Sequence, residues 1–353
     1  MNKEFHPLVS IVMPVYNGSN YMREAIDSAL AQTYNNIEII VVNDGSVDNT
    51  EEIARSYGEK IRYFSKENGG TPTALNMGIA NMRGEYFAWL SHDDLYKPNK
   101  IQREVEELAK LPNKNTIMLS DYEAIDEDYK QIACLHVEDT IAEYPKRGQS
   151  KYFHVLYSTM HCCCLIPKTC FDTVGVFDVN LRVAHDHEFL HRILANFPHV
   201  LVPEVLLTAR HSSGRQGMRK KLRCNVEYSL LIIGIIEKLT DDDILLMQPN
   251  REVFYLSMRN LLSAIGWTIA AEYADVMCQT VGIESFHVKP SQPSVPDQPI
   301  EASPSVEYFQ SQPHTAVLEP RLSIIARIRR SIKNYGYKTT FVRGFKKVFK
   351  RLF

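Results

Sequence analysis

Two aspartates stand side by side at Asp93 and Asp94, where the apolar run Tyr86–Leu90 ends in the stretch YFAWLSHDDL. Adjacent carboxylates repel each other, and burying either one unpaired is costly, so a positive partner is expected there. The plain alternative is a pair of solvated acids capping a helix that starts near Pro98. A second group with chemical potential is His161-Cys162-Cys163-Cys164. Alternate residues of a strand face opposite ways, so four neighbours in a strand cannot converge on one ion. They are read as small apolar residues in a strand. His185, His187 and His191 suggest a zinc helix but lack a convincing third ligand, and are read as surface or cleft histidines. The seven cysteines contain no Cys-x-x-Cys spacing, which argues against a zinc knuckle or redox pair.

The elements that must position these groups alternate between strand and helix over the first 125 residues. Leu8–Val15 is a short apolar run ended by Tyr16-Asn17-Gly18. Within Asn20–Gln32, Tyr21, Ala25, Ile26, Ala29 and Leu30 recur at helical spacing. Ile37–Val42 is β-branched and stops at Asn43-Asp44-Gly45-Ser46. A second helix is expected from Asp48–Thr50 to Gly58, with Glu51 and Glu52 in its first turn. Strand Ile61–Ser65 leads to Glu67-Asn68-Gly69-Gly70. Thr71 then reads as a cap and Pro72 as the first helical position of a helix reaching Gly84. This alternation implies a parallel sheet covered on both faces, with ligands at the carboxyl ends of its strands. Tyr16-Asn17, Asn43–Ser46 and His92–Asp94 should therefore gather on one edge.

In order, SIVMPVYNG (10–18), VVNDGSVDNT (41–50), ENGGTPTALNMGI (67–79) and FAWLSHDDLYKPNKI (87–101) resemble the successive blocks of a family-2 glycosyltransferase. The likeness is to the bacterial enzymes that build cell-surface polysaccharides. VGVFDVNLRVAHDHEFLHRI (174–193) and ARHSSG (209–214) resemble its acceptor-side blocks, so the likeness covers roughly residues 8–215. It implies an α/β fold of the GT-A, Rossmann-like kind: a mostly parallel central sheet flanked by helices. It also implies transfer of a sugar from a nucleoside-diphosphate sugar, UDP-linked on this reading, to a glycan or lipid-linked acceptor. Mn²⁺ or Mg²⁺ would bridge the diphosphate, since such ions take one or two protein carboxylates beside phosphates and water.

By that resemblance Asp94 contacts the metal, Asp93 faces the ribose or sugar, and His211 reaches the metal or diphosphate. Asp44 would accept a hydrogen bond from the base, in a pocket lined by Pro14, Tyr16 and Asn17. In isolation a turn Asp most often bonds its own backbone. The Asn68 turn would bring backbone close to the nucleotide. Relatives place a basic residue near that turn; here only Lys66 is available locally. Asp186 aligns with the catalytic base, although the preceding residue, usually acidic, is His185. Glu188 is the rival carboxylate, two helical positions away and facing elsewhere. A single in-line displacement with inversion is what the family implies. Two rivals remain. A sugar-phosphate nucleotidyltransferase is expected to carry a Gly-rich basic loop, which Val9–Gly18 lacks. A non-catalytic nucleotide-sugar-binding protein would have no need for the full set of acids.

The 353 residues have room for a large domain plus an appendage, and 44% apolar content fits a folded core. The expected division is a GT-A domain at 1–220, a helical extension at 221–286, a Pro/Ser/Gln-rich linker at 287–320 and a basic amphipathic tail at 321–353. Residues 321–353 hold eleven Lys/Arg and no Asp/Glu, which leaves residues 1–320 at −13 within a net charge of −2. Phe341, Phe345, Val348, Phe349 and Leu352 recur at three- and four-residue steps among these cations. This is the pattern of a helix lying on an anionic membrane; a nucleic-acid arm and docking on the acidic body are the alternatives. An odd number of thiols without a framework suggests a reducing compartment. No signal sequence is apparent, and Leu230–Ile236 is far short of the ~18 residues of a membrane span. The expected location is cytoplasmic, peripheral on the inner face of the cell membrane.

Overall fold

The computed structural model describes residues 5–136, 150, 152, 153, 156, 160–211 and 221–285. Its centre is β1 (Val9–Val15), buried at all seven positions. β1 pairs in parallel with β2 (Ile37–Asn43) on one side and β4 (Tyr86–Trp89) on the other, and β3 (Arg62–Ser65) extends the sheet beyond β2. Between these strands run α1 (Met22–Leu30), α2 (Thr50–Arg55) and α3 (Thr71–Asn81). α1 buries Ala25, Ile26 and Ala29 of the expected stripe and Met22 besides, while Tyr21 is half-buried and Leu30 is exposed at the helix end. Each such Ile or Met side chain contributes about 1.5–3 kcal/mol relative to exposure.

The second half is less regular. β5 (Leu95–Tyr96) and α4 (Lys100–Lys110) precede β6 (Ile117–Ile125) and β7 (Gln131–Leu135). After them come β8 (Cys164–Pro167), α5 (Thr169–Val174), α6 (His185–Asn196) and β9 (His199–Arg210). The nine-stranded sheet runs β3-β2-β1-β4-β8-β6-β9-β5, with β7 paired to β6 off that path. β8 is antiparallel to both β4 and β6, β6 is parallel to β9, and β5 is antiparallel to β9. The sheet is therefore mostly parallel, with β8 inserted against the grain beside β4. Four helices follow: α7 (Lys221–Ile236), α8 (Asp241–Met247), α9 (Arg251–Ala264) and α10 (Thr268–Ser285). The linker at 287–320 and the tail at 321–353 lie outside the described residues, as does the second half of ARHSSG, residues 212–214.

Several local expectations shift. α2 stops at Arg55, and a short 3-10 turn at Gly58–Lys60 follows it, because Gly58 adopts φ +57 and turns the chain. α3 is preceded by Gly70, so Thr71 is its first residue and Pro72 its second, and it ends at Asn81. The cysteine run is not a strand. His161–Cys163 forms a 3-10 turn closed by Cys163 N–H on Met160 O at 3.0 Å, and the strand begins at Cys164. All three thiols are buried regardless of strand parity. Burial pushes Cys164 up to about 12 and the other two well above their ordinary value, so they are neutral thiols.

Candidate active site

The carboxyl ends of β1, β2 and β4 meet as the alternation implies. Asp44 N–H bonds Val15 O at 2.8 Å, tying the end of β2 to β1. The Asp44 carboxylate is almost fully buried. Its Oδ1 accepts from Lys66 Nζ at 2.6 Å and Gly69 N at 2.9 Å, and its Oδ2 accepts from Gly70 N at 2.7 Å. Lys66 is thus locked on Asp44. A carboxylate has about four acceptor positions, so Oδ2 retains capacity for a further donor. Asn68 Nδ2 holds Asp44 O at 2.9 Å.

The positive charge missing locally from this turn arrives from far along the chain. Arg182 donates through Nη1 to Gly69 O. Gly70 adopts φ +91, a backbone conformation that L side chains rarely enter, which favours glycine at this position.

Around the same edge Pro14 is buried within β1 and Tyr16 is half-buried. Asn17 adopts φ 51 and accepts from Val47 N at 2.9 Å, while its own N–H bonds Ser46 Oγ at 2.9 Å. It staples the β1 turn to the β2 turn. His92 has a packing role: a Cβ on Gly18 would lie 2.7 Å from its ring, so Gly18 lets the imidazole close on the β1 turn.

Beside the Asp93-Asp94 pair lies Arg210, at the end of β9, whose backbone N–H and guanidinium meet Asp94 Oδ1 and Asp93 O while its charge pairs with Glu24. Asp94 is 1% exposed, and its Oδ1 accepts from Arg210 N at 3.0 Å. The Arg210 side chain is fully buried. Its Nε lies 3.3 Å from Asp93 O and its Nη2 2.8 Å from Glu24, between the rings of Tyr21 and Tyr129 at 4.3 and 4.5 Å. Asp93 is half-buried, and His211 is exposed just past β9, its N–H on Ile125 O at 2.8 Å. Among the described residues no three His, Cys, Asp or Glu side chains converge as a metal cage. A hard cation shared with a diphosphate needs only one or two carboxylates, and the donor set at Asp93 and Asp94 fits that case.

Asp186 sits in the first turn of α6 in a dense polar cluster. Its Oδ1 accepts from His187 N at 2.8 Å and Tyr228 OH at 3.2 Å, and lies 3.3 Å from His187 Nδ1. Its Oδ2 lies 3.2 Å from His161 Nδ1. Burial alone would raise this carboxyl, but His187 and His161 outweigh it and hold it well below the usual carboxylate range. Glu188, the rival, is occupied by Arg192, at 2.7 Å from Nε and 2.8 Å from Nη2.

His185 departs from the sequence reading: it is buried rather than at the surface, and burial pushes it down to about 4 against the pull of Asp186. Neither of its ring nitrogens has a partner among the described residues. Trp89, at the end of β4, stacks on His161 at 3.6 Å and 30° and lies 5.9 Å from His185.

The helical extension completes this part of the site. Glu227 on α7 accepts through Oε2 from three successive backbone N–H groups, of Arg182 at 3.0 Å, Val183 at 2.8 Å and Ala184 at 3.2 Å. Its neighbour Tyr228 reaches Asp186 and stacks on Trp267 at 4.4 Å. His161, Arg182, Arg210, Glu227 and Tyr228 were not singled out by sequence spacing as parts of the site. Each acts across tens of residues, and only Arg182 and Arg210 lay inside recognisable blocks.

Known proteins match this chain in sequence and in fold. The family model for glycosyl transferase family 2 matches residues 10–174. The uncharacterised glycosyltransferase RP339 of Rickettsia prowazekii is 42% identical over 284 residues, covering 80% of this chain and 88% of that protein. RT0329 of Rickettsia typhi is 46% identical over 251 residues, covering 71% and 78%. Among solved structures, the mannosyltransferase PcManGT from Pyrobaculum calidifontis, in complex with GDP-Man and Mn²⁺, shares the fold. Its TM-score is 0.51 at 14% identity, over 80% of this chain and 81% of that one. With relatives this close over most of their length, the chain belongs to glycosyltransferase family 2, with the GT-A fold.

Proposed function

We propose that this glycosyltransferase moves a sugar from a uridine-diphosphate donor to a glycan or lipid-linked acceptor in one inverting step that depends on Mn²⁺ or Mg²⁺. The observation that carries the reading is the shared turn at His161–Cys163. His161 touches Asp186, and Cys162 Sγ lies 3.3 Å from Ser91 Oγ in the loop that leads to Asp93 and Asp94. Proton-accepting and diphosphate-facing carboxylates thus flank one small element. The Mn²⁺ complex of the mannosyltransferase supports a divalent ion beside a nucleotide sugar.

The residues divide the work. Asp44 offers its remaining acceptor position to the imide N–H of uracil, Tyr16 gives the base a stacking face, and Pro14 and Asn17 bound the pocket. Asn68 holds the turn that approaches the nucleotide, and Arg182 brings positive charge to it. Asp94, with Asp93 toward the ribose or sugar and His211 alongside, would hold the cation. That ion, when bound, stabilises charge growing on the leaving diphosphate. Asp186 draws the proton from the acceptor hydroxyl. With no second carboxylate offered as nucleophile, one displacement inverts the anomeric centre. On this reading residues 1–220 are the catalytic domain and 221–286 an extension that braces it. None of the described helices is long and apolar enough to cross a membrane. Residues 321–353 would hold the enzyme on the inner membrane face.

The test is a panel of UDP- and GDP-sugars with Mn²⁺ or Mg²⁺, scored by thermal shift and by release of the nucleotide. Stabilisation by a UDP-sugar only with metal is expected, with Asp94→Ala and Asp186→Ala losing turnover by about 100-fold or more. Full turnover in either variant would refute the site assignment.

A further inference from the structure

A second group of chemically capable side chains lies on the β6–β7 ribbon, outside the residues assigned to transfer. β7 pairs antiparallel with β6, with Glu123 opposite Cys134 and Tyr122 opposite Leu135. One step further along that register sets His136 opposite Asp121. Cys134 Sγ lies 3.3 Å from His136 Nε2, and His136 Nδ1 lies 3.3 Å from Asp121 Oδ2. We propose that Cys134 is a reactive thiol, modified reversibly by low-molecular-weight disulfides. His136 is the base that takes its proton, and Asp121 is the carboxylate that orients the ring.

The thiol does not stand alone: a nucleophile, a base and a group that holds the base follow one another in hydrogen-bond reach. Their exposure falls in the order this arrangement needs. Cys134 is exposed on a strand that pairs with β6 alone among the described residues. The His136 side chain is 47% exposed and that of Asp121 only 1%. A carboxylate so deeply buried is costly unless hydrogen-bonded, which favours an imidazole proton on Nδ1 and leaves Nε2 to accept from the thiol. The register of β6 against β9 shifts on both sides of Asp121, a bulge of the kind that re-aims one side chain of a strand. Among the described residues, the charged groups facing the thiol are His136 on its own strand and Asp121 and Glu123 on β6. Lys97 pairs with Glu123 at 2.6 Å, holds its carboxyl below the ordinary value and offsets its charge beside Cys134.

In the step, His136 Nε2 takes the Cys134 proton and the thiolate sulfur attacks one sulfur of the disulfide. A new S–S bond forms as the old one breaks. The departing thiolate leaves with the electron pair and collects a proton from the imidazolium. Cys134 is oxidised as half of the small disulfide is reduced, so no further oxidant enters. A small thiol reverses the exchange, and the modification follows the ratio of disulfide to thiol around the protein.

The test treats full-length wild type, His136→Gln and Asp121→Asn with bis(2-hydroxyethyl) disulfide, an uncharged probe, from pH 6 to 9.5. Peptide mass spectrometry follows each cysteine. At pH 7 Cys134 should form the mixed disulfide about tenfold faster or more than the half-buried Cys224 and Cys278, and dithiothreitol should remove it. His136→Gln should slow Cys134 by about tenfold or more at pH 7. That deficit should vanish toward pH 9.5, where an ordinary thiol of pKa about 8.5 ionises without help. Asp121→Asn should slow the exchange with the same pH dependence. Asp121 is buried, so thermal melting checks each variant, and His136→Gln, at a more exposed position, decides the matter should Asp121→Asn fail to fold. A merely structural His136 would slow exchange equally at every pH, and that result would overturn the proposal. So would a His136→Gln rate within about twofold of wild type at pH 7, or a Cys134 that reacts no faster than Cys224 and Cys278.

Discussion

The Asp44 carboxylate receives Lys66 and two backbone N–H groups, so the group proposed to meet the base also shapes the Asn68–Gly70 turn. Recognition and loop geometry cannot be separated at such a residue. His185 is a sharper case. An imidazole carries at least one donor or acceptor on each nitrogen, and here both are buried without partners among the described residues. An arrangement of that kind costs about 1–3 kcal/mol per stranded group. Its neutral form is strongly favoured: the folded protein holds it at about 4, against 6.5 for the free group. A depressed folded value contributes stability that is present above the unfolded pKa and lost as pH falls through the folded one. Unfolding free energy should therefore decline between pH 6.5 and 4 by up to about 1.4 kcal/mol per unit on account of His185. Glu104 opposes this. Burial raises its carboxyl, so its term shrinks as pH rises over an overlapping range. The measurement is thus a difference: urea midpoints of wild type and His185→Phe from pH 7.5 to 4. The variant should lack the decline, and parallel curves would refute the assignment.

At the scale of elements, α7 does more than pack against α10. Glu227 gathers the backbone N–H groups of Arg182, Val183 and Ala184, fixing at once the arginine that reaches Gly69 and the residue preceding α6. Glu227→Ala strands these donors and should cost about 1–3 kcal/mol of stability. Because the same loop aims Asp186, kcat should fall by more than the UDP–Mn²⁺ affinity does. Equal losses in both would mean that α7 only stabilises the fold. This arrangement also marks the limit of what the sequence made legible. From Leu8 to Leu90 each apolar run and each turn residue acts on neighbours in the chain, and strands, helices and the common sheet edge follow from spacing. β8 cannot be read that way. It pairs antiparallel between β4 and β6, a placement decided by distant partners, and its approach through His161–Cys163 is a turn rather than the strand that the apolar thiols suggest. Arg210, buried against Asp93 O and paired with Glu24, could not be read in advance, because a buried arginine carries no local pattern.

Across the whole molecule the charge is divided unevenly, eleven Lys/Arg in residues 321–353 against −13 in the rest. Each cation near an anionic leaflet contributes about 1 kcal/mol, an attraction that fades beyond a Debye length of about 8 Å at physiological salt. The phenylalanines interleaved with those cations add apolar area that salt does not screen. The two contributions predict a distinct signature. Full-length protein should float with vesicles containing phosphatidylglycerol, weaken markedly as salt rises from about 0.05 to 0.5 M, and ignore neutral phosphatidylcholine vesicles. Deleting 321–353 should abolish flotation while leaving UDP–Mn²⁺ affinity unchanged, since no residue assigned to the donor site lies there. If the tail instead neutralises its own acidic body, the opposite follows. The intact protein stays in solution with either vesicle, and the truncated chain shows a lower Tm at low salt than the intact one. Flotation of the truncated protein would end the membrane role for this segment altogether.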